Sequence, residues 1–94
     1  DTILEAMACG VPIISTDVGI VPEAFGEKQK QFIIERSKEE LKKKIIELIN
    51  NKQKFKELSE ENLIQIKKWT WKKKAEQFKV QPLNILYFFL KEIN

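Results

Sequence analysis

Residues 4–19 read LEAMACGVPIISTDVG, and this stretch decides which fold the chain can adopt. Its first half is apolar and rich in small residues, and Gly10 follows at the position where helices commonly end in a left-handed residue. We therefore predict a buried helix over residues 2–9. The β-branched run over residues 11–16 has strand length, so it predicts a parallel strand covered on both faces.

Short elements of the same kind continue after this stretch. Residues 17–20 predict a turn, and residues 21–25 predict a short helix with Pro22 at its first position. Residues 32–34 predict a second strand. The order helix, strand, helix, strand indicates an α/β fold over residues 1–36, with a partial parallel sheet flanked by helices.

The composition changes near Ser37, because all three glycines lie before it. Residues 37–40 read SKEE, a capping box that predicts a helix running to Asn50. Apolar residues recur at helical spacing up to Asn50, namely Leu41, Ile45, Leu48 and Ile49, and the chain after Ser37 is rich in Lys, Glu, Ile and Leu. Residues 37–94 are therefore expected to form a helical tail of the same domain.

Two more helices are expected in this tail. One covers about residues 52–68, and the next begins at Thr70, whose hydroxyl can cap it, and runs to Val80. Pro82 then interrupts the chain before a last apolar segment, residues 83–93.

Residue counts exclude several kinds of site. The 94 residues include no His and one Cys, which rules out structural zinc sites, Cys/His or Ser/His catalytic pairs and an internal disulfide. Cys9 is expected to be a small buried side chain. The longest apolar run falls far short of the roughly 20 residues that span a bilayer, so a cytoplasmic protein is expected. Because the chain begins with Asp1 and its only Met, Met7, lies inside a helical pattern, the chain is expected to be a fragment.

Charge is unevenly distributed along the chain. Residues 1–36 carry three bases and six acids, whereas residues 37–94 carry 14 bases and eight acids. Lysines 42–44 and 72–74, the latter near two tryptophans, could be a solvated helix face or a surface for an anionic partner. A peripheral membrane contact fits better than nucleic acid, which we do not expect as a partner. A non-catalytic helical interaction module after Ser37 is a further alternative.

Glu5 is the polar residue that stands out in the first helix. It lies near the amino end of a helix otherwise made of apolar and small residues, so it is either on an exposed stripe or held for a polar partner. Helix amino ends and the carboxyl ends of parallel strands form the usual ligand crevice of open α/β sheets.

Residues 4–23 resemble the carboxyl-terminal domain of the retaining, nucleotide-sugar-dependent glycosyltransferases of family 4, the group 1 glycosyltransferases with the GT-B fold. That family carries a pair of glutamates, the second of which begins Glu-Ala-Met-Ala-Cys-Gly-x-Pro-Val-Ile, followed by Thr-Asp or Ser-Asp, a Gly and Pro-Glu. The chain matches this pattern at Glu5, Ala6 through Gly10, Pro12, Ile13, Ile14, Thr16, Asp17, Gly19, Pro22 and Glu23. The resemblance implies a Rossmann-like parallel sheet followed by the helical tail.

The resemblance also implies a nucleotide-sugar donor as substrate, with no separate cofactor and no metal. Glu5 would accept hydrogen bonds from the two ribose hydroxyls of the donor. Asp1, Thr2 and Ile3 would lie where free N–H groups and the helix dipole favour the donor pyrophosphate. Ile20 replaces a glycine of many relatives, so no ligand contact is expected there.

Two parts of the family's machinery would lie outside this chain. The first glutamate and the glycine loop of the donor site would precede Asp1, so no catalytic residue is predicted here and the chain alone is expected to be inactive. The final helix over residues 83–93 is expected to pack on a missing amino-terminal domain or, without it, on another copy of the chain. Its apolar side chains would cover an arc of about 200°, which is more than one neighbouring helix can bury.

Overall fold

The computed structural model describes residues 1–78. In this part of the chain the helices are α1 (Thr2–Ala8), α2 (Val21–Ala24), α3 (Glu27–Lys30), α4 (Lys38–Ile49) and α5 (Lys52–Phe78). The predictions for Pro82 and for a helix over residues 83–93 lie outside the described residues.

Helix α5 is the element on which the others assemble, since each of α1 to α4 contacts it. It is 27 residues long, which corresponds to about 40 Å of helix. The prediction of two helices divided before Thr70 is wrong, because residues 52–78 form one helix with Thr70 in its interior. No Gly or Pro interrupts this segment, so the backbone continues through Thr70 as an ordinary helix.

The predicted first helix is confirmed by α1, but its predicted burial is wrong, because Met7 is its one buried residue and Thr2, Glu5 and Ala8 are exposed. Gly10 follows it with a φ of +70°, the left-handed conformation that glycine adopts without strain. A Cβ atom at Gly10 would lie 2.8 Å from Ser59 Oγ of α5, so the glycine also allows α1 and α5 to approach closely. Helix α2 confirms the predicted short helix, with Pro22 in its first turn.

The predicted α/β fold with a Rossmann-like parallel sheet is wrong for residues 1–78, which contain helices and no β-strand. Residues 11–16 and 32–34 meet only at an isolated parallel bridge between Ser15 and Ile33. Its two hydrogen bonds run from Ser15 N to the Phe32 carbonyl (3.2 Å) and from Ile34 N to the Ser15 carbonyl (2.8 Å).

Side chains take the place of a neighbouring strand beside residues 11–13. The Gln29 carboxamide accepts from Ile13 N (3.0 Å) and donates to the Ile13 carbonyl. Asn62 Nδ2 of α5 donates to the Val11 carbonyl at 3.0 Å. Because these backbone groups are already bonded to side chains, the ladder does not extend beyond the single bridge.

Helix α3 was not predicted, and its cap comes from a distant residue. The Glu61 carboxylate of α5 accepts from Lys28 N (3.1 Å) and Gln29 N (2.8 Å). These are two of the N–H groups that a helix leaves unpaired at its amino end. Gly26 makes room for this cap, because a Cβ atom there would lie 2.6 Å from Glu61 Cδ.

Helix α4 begins at the predicted cap. Ser37 Oγ accepts from Glu40 N at 3.3 Å and donates to Glu39 Oε2 at 3.0 Å. Hydrogen bonds from its own backbone and from the Ser37 hydroxyl lower the pKa of the Glu39 carboxyl.

The core lies between α1, α2 and α5. The buried side chains of the core form one cluster of Met7, Ile13, Val21, Ala24 and Phe25. Ile66 and Trp69 of α5 are partly buried and pack against this cluster. No residue of α4 is buried, and Ile49 on this helix is 70% exposed. None of the helices described above is both long enough and apolar enough to cross a bilayer.

Candidate functional site

The amino end of α1 carries the predicted site residues. Asp1 caps the helix, because its Oδ1 accepts from Ile3 N at 2.8 Å and from Leu4 N at 3.4 Å. Asp1 and Thr2 are exposed, and Ile3 is partly buried against the core. The predicted residues therefore lie together at one accessible helix end.

Glu5 lies one turn further along, on the outer side of α1. Its side chain is 79% exposed, and its Oε1 is 3.9 Å from the Asp1 amino nitrogen. Met7 is fully buried and fixes the opposite side of the helix in the core. Of the two interpretations left open by the sequence, the structure supports the exposed position.

At this helix end the Glu5 carboxylate is available to a ligand, whereas the backbone N–H groups of Ile3 and Leu4 are already hydrogen-bonded. The exposed Glu5 carboxylate can accept hydrogen bonds from two adjacent hydroxyls, as carboxylates do in bidentate contacts. The Ile3 and Leu4 N–H groups are bonded to Asp1, so an external anion reaches them only if the Asp1 side chain moves away. The negative charge of Asp1 opposes such an anion.

A separate cleft of about 640 Å³ lies between α3 and α5, and it contains none of the predicted residues. Several carboxylates line it, but two of them are engaged in contacts with α3. Glu61 caps this helix, and Glu57 Oε2 lies 3.9 Å from Lys28 Nζ. These contacts give the two carboxylates a structural role.

The prediction for Cys9 is wrong, because the structure places this residue on the surface. It follows Ala8 at the end of α1, outside the side of the helix that packs on the core. Within residues 1–78, no group of three or more His, Cys, Asp or Glu side chains could hold a metal ion.

Sequence reasoning missed a buried polar pair, Gln29 and Asn62, which are both fully buried. Asn62 Nδ2 donates to Gln29 Oε1 at 2.9 Å, while its Oδ1 has no hydrogen-bond partner. Asn62 lies four residues after Leu58 and four before Ile66, so its place on the inner side of α5 was readable from helical spacing. No comparable pattern marks Gln29.

Comparison with known proteins shows which family the chain is similar to. Residues 2–65 match the family model described as glycosyl transferases group 1. The chain is also similar to an uncharacterized glycosyltransferase of Methanocaldococcus jannaschii, with 38% identity over 71 residues. That alignment covers 74% of this chain and 20% of the relative, so the chain spans about a fifth of the length of the protein it matches. No solved structure matches the chain significantly.

Proposed function

We propose, given that the chain belongs to the group 1 glycosyltransferases, that it is the carboxyl-terminal, donor-binding part of a retaining enzyme. Such an enzyme would move a sugar from a nucleotide-sugar to an acceptor. The observation that carries the proposal is the exposed Glu5 carboxylate on α1, a helix whose other side is fixed in the core.

Glu5 would bind the ribose of the donor nucleotide. Two neighbouring hydroxyls can each donate to one carboxylate oxygen, and such charge-assisted bonds are stronger than neutral ones. Burial of Met7 holds the α1 backbone in place, so Glu5 needs to order only its own side chain when the donor binds.

The amino end of α1 would receive the donor pyrophosphate. The backbone N–H groups at Thr2 and Ile3 lie at the positive end of the helix dipole. As the sugar departs, negative charge develops on the leaving nucleoside diphosphate, and donors at this position would stabilise the transition state. Asp1 must first release its bond to Ile3 N, so we propose that its side chain rotates away when the donor binds.

The rest of the reaction would require a further domain. The acceptor and the groups that contact the transferred sugar would belong to the amino-terminal part of the enzyme, so we expect no sugar transfer by this chain alone. Turnover of a nucleotide-sugar by the purified chain would contradict this expectation. The final segment, residues 83–93, would contact that domain or a second copy of the chain.

The experiment is a binding titration of a nucleotide-sugar to the protein that carries the complete donor-binding domain. Glu5→Gln should weaken binding by about 1.5–3 kcal/mol, the usual contribution of a hydrogen bond to a charged group. Glu47→Gln is the matched control, since Glu47 on α4 makes only a surface pair with Lys44 at 3.7 Å among the described residues. Equal affinities for the two variants, with intact folding, would refute the role of Glu5.

A further inference from the structure

The second half of α5 carries the net positive charge of this helix, and its single acid, Glu76, pairs with Lys73 at 3.5 Å. Residues 52–61 contain three lysines and three glutamates, whereas residues 62–75 contain five lysines and no acid. The five are Lys67, Lys68, Lys72, Lys73 and Lys74. The charge of this helix is therefore concentrated towards its carboxyl end.

Two of these lysines share a side of α5 with large apolar residues. At 100° per residue, Leu63, Ile64, Lys67, Trp71 and Lys74 fall within an arc of about 100°. We call these five residues the outer face of α5. Four of them, all except Ile64, line one shallow groove together with Ala8.

The outer face is accessible within the described part of the protein. Leu63 and Ile64 are 41% and 52% exposed, and both lysines are exposed. Trp69, which packs against the core, lies about 120° from Leu63 around the helix, and Ile66 lies between the two at one edge of the groove. None of these five residues belongs to the described core cluster, and Trp71 is the one that is partly buried.

The lysines and the indole on this face each combine an apolar part with a polar group, and two of them are in contact. Lys74 Nζ lies 4.5 Å from the centre of the Trp71 ring. Tryptophan is favoured where one side is apolar and the other is wet. Lysine stems lie along apolar surfaces while their ammonium groups remain in a polar layer.

We propose that the outer face of α5 docks on a bilayer surface that contains anionic lipids. The lysines match the charge of the lipid headgroups, and the exposed aliphatic side chains can enter the boundary between headgroups and acyl chains. Nucleic acid is the weaker match, because this face offers large aliphatic side chains and no arginine to pair with phosphates. The proposal does not depend on donor binding, and its test contains no nucleotide.

The first measurement is co-sedimentation of the full 94-residue chain with lipid vesicles. We expect binding to mixed phosphatidylcholine and phosphatidylglycerol vesicles, weakening as salt is added, and no binding to pure phosphatidylcholine vesicles. Trp71 lies on the outer face, so the tryptophan fluorescence should shift to the blue on binding, and Trp69, which packs against the core, should contribute little to this shift. Absence of binding to the anionic vesicles would overturn the proposal.

The second measurement locates the surface. Lys67→Glu combined with Lys74→Glu should weaken vesicle binding by about 30-fold or more, since each lysine near an anionic surface contributes about a factor of five. Lys42→Glu combined with Lys43→Glu on α4 makes the same change in net charge on a different surface and should weaken binding far less. Circular dichroism confirms that both variants are folded.

Two outcomes would contradict the assignment. Equal losses in the two double variants would mean that net charge alone attracts the chain to the vesicles. Tighter binding to a single-stranded oligonucleotide than to the anionic vesicles, at the same salt concentration, would replace the lipid surface by nucleic acid as the partner.

Discussion

Replacing Gln29 by leucine should destabilise the protein by about 2–4 kcal/mol, because this side chain satisfies two buried backbone groups. Its Oε1 accepts from Ile13 N at 3.0 Å, and its Nε2 donates to the Ile13 carbonyl. Leucine has a similar size but offers neither a donor nor an acceptor. Each buried group that loses its partner costs about 1–3 kcal/mol, and burial of the apolar leucine offsets part of the sum.

Such a loss is large for a chain of this size. Ninety-four residues correspond to a total stability of about 5–14 kcal/mol. Urea unfolding followed by tryptophan fluorescence measures the difference, since Trp69 packs against the core. We therefore expect a clearly lower unfolding midpoint for Gln29→Leu.

The matched control is Gln53→Leu, the same substitution on the exposed side of α5. Gln53 makes one long surface hydrogen bond, to Glu57 Oε1 at 3.4 Å, so its replacement should change stability by no more than about 0.5 kcal/mol. If Gln29→Leu is as mild as Gln53→Leu, Gln29 does not hold residues 11–13 and the account of the missing sheet is wrong.

Three more outcomes follow from single contacts. Gly26→Ala should lower the free energy of unfolding by about 1–2 kcal/mol, because the new Cβ atom displaces the Glu61 side chain that caps α3. The double variant Gly26→Ala with Glu61→Ala should lose less stability than the sum of the two single variants, and additive losses in urea unfolding would contradict this. Ser37→Ala should raise the pKa of Glu39 towards its ordinary value, because the variant lacks the hydroxyl that donates to the carboxylate. In the wild-type protein this contact stabilises the fold fully above the ordinary carboxyl pKa, and the stabilisation is lost as the pH falls through the lowered pKa. NMR titration of Glu39 measures the shift, and an unchanged pKa would refute the role of the hydroxyl. Asp1→Asn, in a protein with the complete donor-binding domain, should tighten nucleoside diphosphate binding about two- to fivefold, because the cap keeps an acceptor and loses its charge; weaker binding by calorimetry would contradict the proposed rotation of Asp1.

The parts of the fold that sequence reasoning predicted depend on neighbouring residues. Gly10 ends α1, and Ser37 begins α4, through contacts within a few positions of each. The position of Glu5 near the amino end of α1 follows from the same local rules. The engagement of Asp1 as a cap was also readable, since Asp is a favoured residue before a helix.

The parts that it did not predict depend on residues distant in the chain. Helix α3 is capped by Glu61, 32 residues after Gln29, and no local signal marks that contact. The predicted strand at residues 11–16 has the right composition, but Gln29 and Asn62 occupy the backbone groups that a second strand would use. Composition indicates how well a segment suits a β-sheet, but it does not show whether a strand or a distant side chain will bond to the backbone of that segment.

The order of synthesis gives a special role to α5, the helix that each of the other helices in residues 1–78 contacts. On the ribosome, α1 to α4 emerge before the residues that cover them, and the core around Met7 is complete only when Ile66 and Trp69 have been made. Contacts such as that between Asn62 and Val11 join residues 51 positions apart, and such distant closures are formed late. The nascent chain therefore carries short helices with an open apolar side until α5 emerges, and residues 1–78 are expected to fold as one unit after α5 has been translated.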